Sequence, residues 1–162
     1  MSILVLGLGN ILLKDEGIGV RAVEAFLRRY ALPPGVEAVD GGTAGLDLLE
    51  LMAGRDHVIV LDAVHSGQPP GSLVRLEGGA VPALFRTRLS PHQLGLSEVL
   101  AALELLGELP RGLTLLGAEP KEIDADLGLS PELAQAREGL VDWLAAELQR
   151  LGVPAVPVAM AA

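Results

Sequence analysis

Four short runs, Ile3–Leu6, Val36–Val39, Val58–Leu61 and Leu113–Leu116, are apolar at nearly every position, and segments of helical periodicity separate them. No other feature constrains the fold as tightly. A strand with one wet face alternates apolar and polar residues, whereas a strand that is apolar throughout must be covered on both faces, as parallel strands between helices are. A fifth run, Ser72–Leu76, does alternate, and it follows the turn Gly67-Gln68-Pro69-Pro70-Gly71, which is too short for a crossover helix. That run predicts a more exposed or antiparallel strand. The expected architecture is α/β: a single-domain, three-layer α/β/α fold around a mixed, mostly parallel five-stranded sheet.

Helical segments fit between these strands. Val20, Val23, Leu27 and Tyr30 recur at helical spacing with Arg21, Glu24 and Arg28 on the other face, predicting a first helix that ends near Pro33. Ser90-Pro91-His92-Gln93 combines an N-cap serine, a proline at the first helical position and a glutamine at the capping-box position, and predicts a helix to about Gly107. Ser130-Pro131 repeats the device ahead of Leu133, Leu140, Leu144, Leu148 and Leu151 in a closing helix. With neither internal repeat nor linker, residues 1–152 read as one domain, and residues 153–162, containing Pro154 and Pro157, as a loosely ordered tail.

Composition removes several classes of function. The 162 residues are 50% hydrophobic, enough for a sizeable core, and carry a formal net charge of −9. Nucleic-acid binding needs a basic face, so a nucleic-acid partner is not expected and a basic or cationic one fits better. The chain has no cysteine, which excludes disulfides, thiolate metal sites and a cysteine nucleophile and fits a cytoplasmic location. No apolar run approaches the roughly 20 residues that span a bilayer, so no membrane partner is expected.

The loop after the first strand begins Gly7-Leu8-Gly9-Asn10, like a dinucleotide-binding loop, but Leu12 stands where that fingerprint needs its third glycine. Gly7 and Gly9 therefore read as a tight turn and Asn10 as a loop-shaping residue. Asp15 and Glu16 end this strand-to-helix loop, where local sequence alone makes Asp15 a helix cap and Glu16 a complement to the dipole. Asp62 shifts the balance, because it terminates a strand expected in the middle of the sheet. Ligands of open α/β sheets bind beyond the carboxyl ends of the strands, where both acids fall, and two carboxylates there repel unless a proton or cation lies between them. His92, in the first turn of its helix, is kept neutral by the dipole and able to bind metal. Glu16, Asp62 and His92 thus form an oxygen-and-nitrogen donor set suited to zinc, nickel or iron, and the two acids are also a candidate acid–base pair. His57 begins a strand, and His65, in a Gly/Pro-rich loop near Asp62, has at most a peripheral role. Neither a Gly-x-Ser-x-Gly elbow nor a His-Glu-x-x-His helix is present.

The blocks GLGNILLKDEGIGVRAVEAF, VDGGTAGLDLLE, VIVLDAVHSGQPPGSL, SPHQLGLSEVL and LLGAEP…LGLSPEL follow one another over nearly the whole chain, and together they resemble the nickel-iron hydrogenase maturation endopeptidases. The resemblance implies a cytoplasmic protease of phosphorylase/hydrolase-like fold that removes a C-terminal extension from the hydrogenase large-subunit precursor, with nickel carried by that precursor. It implies metal contacts by Glu16, Asp62 and His92, catalysis by Glu16 and Asp62, and a cleft near Asp40, Gly41, Gly42 and Thr43, of which the first three are the expected substrate contacts. Glu119 departs from the glutamine often found before this proline in the family. Two rivals use the same scaffold. Peptidyl-tRNA hydrolases share Gly-Leu-Gly-Asn but continue with Pro-Gly where this chain has Ile11-Leu12, and a nickel carrier or nucleotide-binding module would release no peptide.

Overall fold

The computed structural model describes residues 1–42, 47–81 and 91–158, except for the side chains of residues 91–95 and 97. Its strands are β1 (Ile3–Leu8), β2 (Tyr30–Ala31), β3 (Val36–Gly42), β4 (His57–Ala63), β5 (Leu73–Glu77), β6 (Gly112–Ala118) and β7 (Val156–Pro157). Helices α1 (Ile18–Arg29), α2 (Leu48–Met52), α3 (Pro91–Leu106) and α4 (Pro131–Arg150) lie between them. Five strands form one sheet in the order β3-β1-β4-β6-β5. All neighbours are parallel except β5, which runs antiparallel to β6, as its alternation and short connection require.

The apolar strands divide their side chains between two cores. Ile3, Val5, Ile59, Leu61, Ala63, Leu116 and Ala118 pack with α1 and α4, while Leu4, Leu6, Leu8, Val58, Val60, Leu113 and Leu115 pack with α2 and α3. Each Val, Leu or Ile among them contributes about 1.5–3 kcal/mol by leaving water. The sheet is therefore covered on both faces, and its strand ends are left as the places where polar groups can gather.

Glycines set how closely α1 approaches that sheet. A Cβ on Gly19 would run into the carbonyl oxygens of Leu61 and Leu8, and one on Gly7 would lie 3.0 Å from the Gly19 carbonyl oxygen. The close helix–strand approach that Leu12 denies the dinucleotide fingerprint is thus made by Gly19, further along. The α1 core consists of Ile18, Ala22, Val23, Ala25 and Phe26, and Leu27 is 43% exposed, contrary to its place in the apolar stripe read from sequence. The helix ends at Arg29 rather than near Pro33. Tyr30 is extended there, its ring stacked on Phe26 with centroids 4.7 Å apart, and it pairs with Pro157 in the antiparallel β2–β7 ribbon. Val156–Pro157, within the expected loose tail, is anchored by this ribbon, and residues 159–162 lie outside the described ones.

Candidate active site

The carboxyl end of β1 feeds a loop that doubles back on itself. Gly9 has a φ of +120°, open to glycine and strained for other residues, and a Cβ there would collide with the Glu16 carbonyl. Asn10 shapes the loop as its sequence context suggests: its Oδ1 accepts from the Leu12 N–H at 2.9 Å and its carbonyl from the Leu13 N–H at 3.0 Å. A 3-10 turn, Lys14–Gly17, then packs against β4 and presents Asp15 and Glu16.

Asp15 is not the helix cap that local sequence suggests; neither the 3-10 turn nor α1 has a side-chain cap. Its carboxylate is wholly buried and reaches across to the segment before α4. Oδ1 accepts from the Ser130 N–H at 2.8 Å, and Oδ2 accepts from the N–H groups of Lys121 and Glu122, both at 2.9 Å, and from the Ser130 hydroxyl at 2.8 Å. Burial alone would raise the Asp15 pKa, but the N–H groups of Glu122, Ser130 and Lys121 outweigh it and hold the group below the ordinary aspartate value. Ser130 also caps α4 by accepting from the Leu133 N–H at 3.4 Å. One aspartate therefore locks the β1–α1 loop, the β6–α4 loop and the start of α4 together.

Glu16 follows directly and is 5% exposed; its Oε1 lies 3.3 Å from His65 Nε2. Asp62, fully buried, is the penultimate residue of β4 beside Gly117 of β6, and its Oδ1 accepts from the Ala63 N–H at 2.8 Å. The loop that carries His65 is held by Glu119, whose Oε1 accepts from Ser66 N–H at 2.8 Å, Ser66 Oγ at 3.0 Å and Gln68 N–H at 3.0 Å. Glu119 is the residue that sequence reasoning undervalued. It stands immediately after β6, and an acid at the end of a buried strand is the same signal that singles out Asp62.

The family model described as "HycI: Hydrogenase maturation protease" matches residues 20–147. The Hydrogenase 2 maturation protease of Escherichia coli K12 is 51% identical over 158 residues, covering 97% of this chain and 96% of that relative. The structure of the hydrogenase maturating endopeptidase HybD from E. coli superimposes with a TM-score of 0.94, covering 97% of this chain and 98% of that one. The chain belongs to the hydrogenase maturation protease family. The [NiFe] hydrogenase maturation protease HybD from Thermococcus kodakarensis, 25% identical, keeps the fold with a TM-score of 0.73 over 89% of this chain and 97% of that one. This family member is accordingly an endopeptidase, and the esterase and carrier readings give way to peptide hydrolysis.

The remaining predicted positions of the protease fall around the same sheet edge or outside the described residues. Asp40 is exposed at the end of β3, and its Oδ1 accepts from the Gly42 N–H at 2.8 Å, closing a turn at a register break between β1 and β3. Gly41 leaves room there for Leu6, Leu8 and Leu48: a Cβ on it would approach their methyl groups to 2.9, 2.9 and 3.2 Å. Thr43 lies outside the described residues. His92 is in the first turn of α3, as predicted, and its side chain lies outside the described part. Among the described residues no three His, Asp or Glu side chains cluster as a metal site. No helix among the described residues is long and apolar enough to cross a membrane. A cavity of about 800 Å³ lies at the opposite, amino-terminal edge of β4 and β6, bordered by His57, Arg75, Gly112 and Glu147.

Proposed function

We propose that this protease removes the C-terminal extension from the nickel-containing precursor of a hydrogenase large subunit, with the nickel arriving as part of the substrate. Glu16, Asp62 and His92 supply two carboxylates and an imidazole, donors suited to a divalent ion of this class, and engage the nickel so that the scissile bond is positioned beside them. Asp40, Gly41 and Gly42 border the same edge as substrate contacts. One of the two carboxylates takes the proton of the attacking water as its oxygen bonds to the scissile carbonyl carbon, and the C–N bond then breaks with the proton passing to the leaving amine.

The observation that carries this reading is the placement of Glu16 and Asp62, both buried, toward the carboxyl ends of adjacent strands, one in the turn after β1 and the other one residue before the end of β4. Buried carboxyl groups gathered at one sheet edge favour a cation between them. The E. coli relative named for hydrogenase 2 maturation supports a hydrogenase subunit as the substrate.

The test is incubation with nickel-loaded and nickel-free precursor, followed by mass spectrometry. The expected result is a released C-terminal peptide from the loaded form alone. Release from both forms removes the nickel requirement, and release from neither removes the assignment of substrate.

A further inference from the structure

The two loops that frame Glu16 carry an apolar ridge that the core does not use. Leu12 and Leu13 in the β1–α1 loop expose 60% and 36% of their surface, and Ile123 and Leu127 in the β6–α4 loop expose 50% and 65%. The loops form one body. Leu13 bridges Asp126 in the parallel sense; Lys14 N–H donates to the Asp126 carbonyl, Asp126 N–H to the Leu12 carbonyl and Asp15 N–H to the Glu122 carbonyl, all at 3.0 Å. The Asp15 carboxylate ties the same two loops from beneath, and Lys14 pairs with Glu122. Four large apolar side chains held in water by so many bonds contribute little to stability, and such a patch is the mark of an interface. Because its backbone is already ordered, docking there loses little conformational entropy.

We infer that this ridge is the docking surface for the protein substrate: an extended, apolar segment of the precursor bearing basic residues lies across Leu12, Leu13, Ile123 and Leu127 as it delivers the scissile bond to Glu16. The inference rests on the proteolytic reading above and names the chemistry of the segment that the site accepts. Continuity is the first reason, since the ridge joins the site through Asp15 and Glu16, which follow Leu13 and Lys14 in one turn. Charge is the second. Asp124 and Asp126 are exposed along the ridge, in a chain of net charge −9. These groups attract a basic segment, whereas a second copy of this chain would bring like charges together.

The experiment measures the affinity of the full-length protein for nickel-loaded precursor by calorimetry, alongside steady-state cleavage. The variants are I123S/L127S, L12S and D124K, with L105S as control. Leu105, 89% exposed near the end of α3, loses comparable apolar surface at the opposite edge of the sheet. The expected result is a Kd and KM raised about tenfold in I123S/L127S, with kcat within twofold and the thermal midpoint unchanged. L12S and D124K weaken binding by smaller factors, D124K with a reduced salt dependence, and L105S changes nothing. Unchanged Kd and KM in I123S/L127S and D124K overturn the inference, and so does a loss confined to kcat, which would make the ridge a positioning element. A wild-type dimer dissociated by I123S/L127S with precursor affinity intact would assign the ridge to self-association and overturn it as well. Precursor that binds through the ridge without being cut retires the proteolytic reading alone; precursor that does not bind retires both.

Discussion

The two edges of the sheet each bury a carboxylate in a four-bond network, and they neutralise it by different means. At the amino-terminal edge Glu147 of α4 is met by cations: Arg75 donates Nε at 3.0 Å and Nη2 at 2.9 Å, and Arg150 donates Nη1 at 2.9 Å. Thr114 donates its hydroxyl to the same group at 3.2 Å and accepts from His57 Nε2 at 2.7 Å. Burial pushes the Glu147 pKa up, but Arg75, with Arg150 and the Thr114 hydroxyl, more than reverses that and holds it below the ordinary glutamate value. At the carboxyl-terminal edge Asp15 and Glu119 are met by N–H groups and serine hydroxyls. A guanidinium cancels a buried negative charge, whereas an N–H dipole satisfies it and leaves the charge in place. The first edge cancels the charge of its buried carboxylate, and the second leaves that charge in place on the side of the sheet that carries Glu16 and Asp62.

The sharpest way to break this contrast is to neutralise acids at both edges. Glu16→Gln and Asp62→Asn are expected to lower precursor cleavage on the order of 10²–10⁴-fold with the thermal midpoint nearly unchanged, while Glu147→Gln leaves kcat intact. Cleavage assays beside circular-dichroism melts check this, and equal loss of activity from both edges would erase the distinction. Truncation comes next in size. Asp15→Ala, which orphans buried N–H groups, should cost about 2–4 kcal/mol in urea unfolding, and Glu147→Ala, which leaves Arg75 with Glu77 alone, about 1–3 kcal/mol.

Acid titration sharpens the comparison further. Asp15 and Glu147 both have lowered folded-state pKa values, so their stabilisation is present above the unfolded values and is lost as pH falls through the folded ones. Stability should therefore decline below about pH 4. His57 acts earlier. Burial holds its imidazole below the ordinary value of 6.5, partly offset by Glu147 and Glu77, so the unfolded chain takes up its proton first. Stability should already fall as pH drops below 6.5, and His57→Asn should flatten that part of a urea-unfolding series. The smallest effect belongs to Glu119→Gln. The amide oxygen still accepts from Ser66 and Gln68, so cleavage should change by only about a few-fold, less than in Glu119→Ala.

Much of the fold was legible because its signals are local. Strands apolar at nearly every position are buried on both faces in β1, β4 and β6, whereas β3, read the same way, is an edge strand with no fully buried residue; β5 declared itself by alternation and by a turn too short for a crossover. The Ser130-Pro131 start of α4 was equally plain. The ribbon β2–β7 was not, because Tyr30–Ala31 and Val156–Pro157 have no signal apart from each other.

For the site, the amino-acid sequence alone determined that Glu16 lies in the loop that follows one apolar run and Asp62 directly after another, since chain direction and the position of each apolar run are properties of the sequence. Tertiary structure alone decided what Asp15 and Glu119 do. Asp15 finds its partners at Lys121, Glu122 and Ser130, and Glu119 at Ser66 and Gln68, so each bond joins segments remote along the chain. A hydrogen bond between such segments exists only after the sheet has set their distance, and no residue's neighbours in sequence carry that information.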